Sequence, residues 1–301
     1  MPDPTLAELL SPATLARIDN YSFIARTAVE GFISGMHRSL YHGFGSEFFQ
    51  YRSYVPGDDL KYVDWKVLAR SDRFYSKVFQ EETNMNCCLI LDASASMGYQ
   101  GRRAACTKLR YAAMVAACLA YLAARQGDNV GFYAYNRELV SHVPPGRRTG
   151  GLPRILTELQ RLQPQGTAAH EPVMSHLAEN FRRRGVVVLL SDLHEAENAL
   201  PALLRRFRFA HHECVVFQIL DPDEIDLAFG RTTRFVDSET DAEITTYPPL
   251  AKQHYLTAMS AFLDKVRLGC LELEADYLLT STADNLGNML AAYLHRRKGL
   301  A

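Results

Sequence analysis

The chain has 301 residues, 48% apolar and 22% charged, with 33 Lys and Arg against 34 Asp and Glu; this is the make-up of an ordinary globular protein of one large domain or two modest ones. A net charge of −1 gives no electrostatic footprint for nucleic acid, and no run approaches the ~20 apolar residues of a membrane span. The opening MPDPTLAELLSP lacks the pattern of a secretory signal, and the six cysteines (87, 88, 106, 118, 214 and 270) form no zinc spacing, so they read as reduced core thiols of a cytoplasmic protein.

From the start to about residue 40 the chain reads as helix. Over 21–35, Phe23, Ile24, Ala28 and Phe32 fall near one face, while Gly31 and Gly35 weaken the end. Residues 45–84 mix aromatics with charges. Pro56-Gly57-Asp58 signals a turn, Asp58 or Asp59 is placed to cap a short helix through Ala69, and Arg73–Gln80 alternates like a strand.

From Met85 the pattern becomes α/β. Met85–Leu91 is a short apolar run that suits a strand buried on both faces. A long helix follows, with Leu109, Ala112, Ala116, Leu119 and Ala123 on one stripe, ended by Gly127-Asp128. Val130–Tyr135 is the next strand, with Leu139–Val143 as an edge partner. Helices at 151–162 and 172–183 lead to the strand Val186–Ser191, and a helix at 197–208 leads to Cys214–Leu220. After a longer excursion, a helix carries Leu256, Met259, Leu263 and Val266. The strand Tyr277–Leu279 follows, and a last helix turns Leu286, Met289, Leu290, Tyr293 and Leu294 to the core. Such alternation implies a mostly parallel sheet with helices on both faces. The expected division is an N-terminal segment, 1–84, and an α/β domain, 85–301.

Ligands on parallel sheets bind beyond the carboxyl ends of the strands, near a reversal of strand order. The loop after the first buried strand reads Asp92-Ala93-Ser94-Ala95-Ser96-Met97-Gly98, and a second carboxylate, Asp192, follows the strand ending at Ser191. Between them Thr167 offers a hydroxyl beside Gly166. Asp92, Ser94, Ser96, Thr167 and Asp192 are all hard oxygen donors, suited to Mg²⁺ (or Mn²⁺ or Ca²⁺). The plainer alternative is that Asp92, Ser94 and Ser96 cap the helix expected near residue 104, or the turn before it, with Thr167 an ordinary loop residue.

The five positions, in this order, resemble the metal-ion-dependent adhesion site of von Willebrand factor A domains: Asp-x-Ser-x-Ser, a distant Thr, a distant Asp. Gly127-Asp128-Asn129-Val130-Gly131-Phe132 also resembles that family's second strand. The resemblance implies a von Willebrand A-like fold. It also implies direct coordination by Ser94 and Ser96, direct coordination by Thr167 in a ligand-bound form, and action of Asp192 partly through water. One position is left open for water or for a carboxylate from a partner.

A second resemblance lies upstream. Gly45-Ser46-Glu47-Phe48, Arg52 to Asp59 (RSYVPGDD), Val63-Asp64-Trp65, Ala69-Arg70 and Glu81-Glu82 are similar to the signature of a bacterial family known only as domain of unknown function fifty-eight. That family places the signature before a von Willebrand A-like domain and often carries membrane segments ahead of it; their lack here implies a short soluble form. The signature reads first as a brace, with Trp65, Tyr54 and Val63 as apolar anchors among pairing charges, and alternatively as a binding surface. The family resemblance implies a MoxR-type AAA+ ATPase as protein partner, in assembly or activation of other proteins.

His170, His194 and Glu195 lie close enough in sequence to Thr167 and Asp192 to rim the site and touch a partner. No nucleophile elbow or Walker loop is present. The expectation is a non-enzymatic protein-binding module. The alternatives are a Mg²⁺-dependent phosphohydrolase using Asp92, although Ser94 stands where such an enzyme needs an acid, and a scaffold with an empty metal site.

Overall fold

The structure is a computed structural model that describes residues 8, 10–36, 50–53, 75–78, 85–146, 150–181, 183–194 and 196–298. The chain divides into two compact units. One joins Met1–Arg38 to Met85–Ala301, and the other is Ser39–Asn84. The sequence reading drew a single boundary before Met85, whereas the contacts draw two. The reason is a helix, α2 (Tyr21–Met36; α1 is the single turn Pro12–Leu15), whose Tyr21, Ile24, Ala25, Ala28 and Val29 are buried in the core of the larger unit. Phe23, expected on that stripe, is 56% exposed. The buried set steps by three and four residues from Tyr21, and Phe23 falls outside it.

In the smaller unit, β1 (Gln50–Ser53) pairs antiparallel with β2 (Tyr75–Val78). The helix expected through Ala69, and the anchors Tyr54, Val63 and Trp65, lie outside the described residues.

The larger unit is built on β3 (Asn86–Asp92), β4 (Asn129–Tyr135), β5 (Leu139–Val143), β6 (Gly185–Ser191), β7 (Glu213–Leu220) and β10 (Asp276–Ser281). They lie in the order β10-β7-β6-β3-β4-β5, parallel except for the β5 edge. Along β3, Cys87, Leu89 and Leu91 point into one apolar cluster, Cys88 and Ile90 into another. This period of two buries both faces of the strand.

Helices α2, α3 (Lys108–Arg125), α4 (Gly151–Arg161) and α9 (Leu286–Lys298) cover the first face. Helices α5 (His170–Asn180), α6 (Leu200–Phe209) and α8 (Pro248–Glu272) cover the second. Helix α3 stops where Gly127 takes φ +83 and the N–H groups of Gly127 and Asp128 return to the carbonyls of Ala124 and Ala123, satisfying orphan acceptors.

The excursion after β7 contains a short helix, α7 (Pro222–Asp226), and a two-stranded ribbon, β8 (Thr233–Val236) with β9 (Glu243–Thr246). All six cysteines are free and buried. Among the described residues no helix is long and apolar enough to cross a membrane.

Candidate metal centre

The strand order reverses at β3 and β6. The chain leaves β3 toward β4 on one side and later returns on the other side as β6. Helix α3 packs on one face and α6 on the other, so the loops after β3 and β6 stand at a topological switch point at the carboxyl edge of the sheet, the place where such sheets bind ligands.

Asp92 ends β3 and is fully buried. Its Oδ1 accepts the Ser94 N–H at 2.9 Å, and its Oδ2 accepts the Ser191 hydroxyl at 2.7 Å. A 3₁₀ turn over Ala95–Gly98 follows, with Ser94 in the cap position; the Ser94 side chain makes no capping bond. Its Oγ lies 3.0 Å from Ser96 Oγ. The cap of α3 is Thr107, whose hydroxyl accepts the Arg110 N–H. Asp92, Ser94 and Ser96 therefore do not cap α3, although the bond from the Ser94 N–H to Asp92 Oδ1 does cap the turn before it.

Asp192, also buried, follows β6. Leu193 after it has φ +59, a left-handed conformation that costs a branched residue about 1–2 kcal/mol. The sharp turn brings the His194 N–H back to Asp192 Oδ1 at 3.0 Å and the Leu193 N–H to Ser191 Oγ at 2.9 Å. Asp192 Oδ2 accepts from Lys108 Nζ at 2.8 Å, and the Ser96 hydroxyl bears on the same carboxylate. Asp92, Ser94, Ser96 and Asp192 thus converge from two loops.

Thr167 is brought to the edge of this group. Its loop is sewn to the Asp92 loop by Gln165 N–H to Ala93 C=O at 3.0 Å and Ala95 N–H to Gly166 C=O at 2.8 Å. The Thr167 hydroxyl itself accepts from Arg137 Nε at 2.9 Å.

Burial and the charge of Asp192 push the Asp92 carboxyl above its ordinary range, against relief from His170, Ser191 and Ser94. Burial acts in the same sense on Asp192, but the Lys108 charge and hydrogen bond outweigh it and hold Asp192 down at about 2. Among the described residues, Asp92 enters no salt bridge. A buried carboxylate without a cation is costly, and a divalent ion at the neighbouring hydroxyls would relieve it. The donors are carboxylate and hydroxyl oxygens, the chemistry of hard cations. No group of three or more His, Cys, Asp or Glu side chains gathers to hold a metal among the described residues, so any metal site here leans on hydroxyls.

Of the expected rim residues, His194 is exposed at the loop surface. His170 is not a rim group: it is 8% exposed, and both ring nitrogens are engaged, Nδ1 with the Tyr135 hydroxyl at 2.9 Å and Nε2 with the His194 carbonyl at 3.3 Å. Its neighbours on α5, Val173, Met174 and Leu177, face the core, and His170 sits at the top of that face. Glu195 lies outside the described residues.

Three contributors escaped the sequence reading. Ser191 orients Asp92, Lys108 neutralises Asp192, and Glu224 of α7 accepts from Lys108 at 2.6 Å. Lys108 had a readable signal, because it lies four residues before Ala112 and eight before Ala116 and so extends the buried stripe of α3.

Residues 50–260 match the family model described as "Protein of unknown function DUF58". The chain belongs to this family. Relatives include the uncharacterized proteins Rv1480 of Mycobacterium tuberculosis (strain ATCC 25618 / H37Rv) and Mb1516 of Mycobacterium bovis. Each is 29% identical over 233 residues, covering 75% of this chain and 71% of the relative. Among solved structures, the chain is similar to the conserved hypothetical protein BatB from Bacteroides thetaiotaomicron (13% identity, TM-score 0.43, 70% of this chain and 98% of that one). It is similar also to the SpRpn10 VWA domain (13% identity, TM-score 0.41, 69% and 94%). The mostly parallel sheet covered by helices on both faces is the architecture that the DUF58 reading of the sequence anticipated.

Proposed function

We propose that this chain is a non-enzymatic protein-binding module whose grip on its partner passes through a divalent cation, Mg²⁺ in the first instance, held by Asp92, Ser94, Ser96 and Asp192. Thr167 is to join them when its hydroxyl turns from Arg137. One observation carries the reading: two buried carboxylates and two hydroxyls, from loops far apart in sequence, meet where the strand order reverses. The cation would supply an electrophilic point at which a partner's carboxylate completes the shell. The proposed partner is a MoxR-type AAA+ ATPase, on the strength of the DUF58 resemblance, and the proposed compartment is the cytoplasm, in keeping with six buried free thiols.

A phosphohydrolase reading has less support. Ser94 stands where such an enzyme places its general acid, and a serine hydroxyl supplies no proton-donating carboxyl.

The test is capture of partners from native lysate, with and without EDTA, using the wild-type chain and Asp92→Ala. The expected result is an AAA+ ATPase retained by the wild type with Mg²⁺ and lost on chelation or on substitution. Retention through both treatments would overturn the metal mechanism.

A further inference from the structure

We infer that Lys108 is a tethered cation that sets the metal affinity of this centre, holding Asp192 when no metal is present and opposing the metal when it enters. This rests on the metal reading proposed above.

Lys108 is the first residue of α3, where the helix dipole disfavours a positive charge. A lysine there would ordinarily reach into water; this one is 2% exposed. Its Nζ lies 2.8 Å from Asp192 Oδ2, 2.6 Å from Glu224 Oε1 and 5.9 Å from the centre of the Tyr99 ring. The placement has a cost that nothing in helix packing requires, and what it gains is the neutralisation of two carboxylates.

The local charges fit this role. Lys108 bridges Asp192 and Glu224, and Asp92 lies within reach of the Asp192 charge with no salt bridge of its own among the described residues; three carboxylates against one ammonium leave two negative charges, the amount one divalent cation brings. Asp192 is the ligand both cations would share. An ammonium bonded to a ligand oxygen repels the incoming ion and competes for the oxygen's lone pairs.

The tether is itself restrained. Glu224 Oε2 accepts the Asp221 N–H at 2.8 Å, and the Glu224 carbonyl accepts the Tyr255 hydroxyl from α8 at 2.5 Å. Helix α7 is latched to the loop leading into α3: Asp221 accepts the Gly101 N–H at 2.8 Å, and Arg103 binds Asp223 at 2.6 Å and Asp226 at 2.8 Å. Glu224 therefore shares the charge of Lys108 with Asp192, and the position of α7 governs how much of it the metal meets.

The experiment is calorimetric titration of the full chain with Mn²⁺ as wild type, Lys108→Met and Glu224→Gln, with the fold of each checked by circular dichroism. The inference expects opposite signs. Lys108→Met should bind Mn²⁺ at least about tenfold more tightly, the effect of removing one close like charge. Glu224→Gln should bind several-fold more weakly, because the whole ammonium charge is then directed at Asp192. A lysine that merely braced the loop would loosen metal binding in both. If Lys108→Met does not fold, Lys108→Gln takes its place, and binding by it no tighter than wild type sinks the inference; so does equal or tighter binding by Glu224→Gln. Wild-type uptake with unresponsive variants would overturn the role of Lys108 only; no uptake by any of the three would overturn the metal reading and this inference with it.

Discussion

The Ser191 hydroxyl donates to Asp92 Oδ2 across 2.7 Å, joining the last residue of β6 to the last residue of β3. The same oxygen accepts the Leu193 N–H at 2.9 Å, so one hydroxyl fixes both the first carboxylate and the strained turn beneath the second. Ser191→Ala leaves a buried N–H and a buried carboxylate oxygen each short of a partner, and is expected to destabilise the chain by about 1–3 kcal/mol. Urea unfolding measures this. Ser191→Thr, which keeps the hydroxyl, should recover most of the loss.

Gly101 is required by close approach. A Cβ there would lie 2.3 Å from Asp221 Oδ1 and 2.6 Å from Asp223 Oδ2, the two carboxylates that latch α7. Gly101→Ala is expected to cost about 2 kcal/mol, a fall in melting temperature of about 4–8 °C. Gly146→Ala, where no atom lies within 4 Å of the added carbon, should leave the melt unchanged.

Acid titration separates the two aspartates. Asp92 has a raised pKa, so its ionisation costs stability above that pKa, and the cost is relieved as pH falls toward the unfolded value near 4. Asp192, held at about 2, contributes stability above pH 4 that is lost as pH falls from there toward 2. The metal-free wild type should therefore gain stability on mild acidification before it falls. Asp92→Asn should be more stable than wild type at pH 7, lack the mild-acid gain and bind no divalent cation. Denaturant unfolding from pH 3 to 8 in EDTA reads the first two, and a higher stability for the wild type at pH 7 would contradict the account.

A carbonyl oxygen can only accept, so the bond from His170 to the His194 carbonyl fixes Nε2 as the donor in the neutral ring. Nδ1 then accepts from the Tyr135 hydroxyl. Tyr135→Phe strands a buried ring nitrogen, and a loss of about 1–3 kcal/mol is expected. Nitrogen NMR of the wild-type ring should show the Nε2–H tautomer. A freely tautomerising His170 would place it back among the surface groups.

The central strands β3, β4, β6 and β7 were legible because each is a short run buried on two faces, and the loop oxygens were legible because they follow β3 and β6 directly. What escaped depends on distant neighbours. Ser191 reads as an ordinary strand end until β6 is known to lie beside β3. The membership of α2 in the main core is a contact across the intervening Ser39–Asn84 unit, and sequence order hides it. Helix α7 left a local trace, because Asp221-Pro222-Asp223-Glu224 is a capping box with proline at the first position, but a five-residue helix has too short a period to stand out. Phe23 shows the opposite failure: an apolar residue next to a true stripe was drawn into it.

The most direct test is anomalous diffraction from crystals grown with Mn²⁺. The account predicts one peak per chain, bonded at about 2.0–2.3 Å to Ser94 and Ser96 and to at least one of Asp92 and Asp192. Crystals saturated with Mn²⁺ that show no peak at those oxygens, with Lys108 still bridging Asp192 and Glu224, would contradict it.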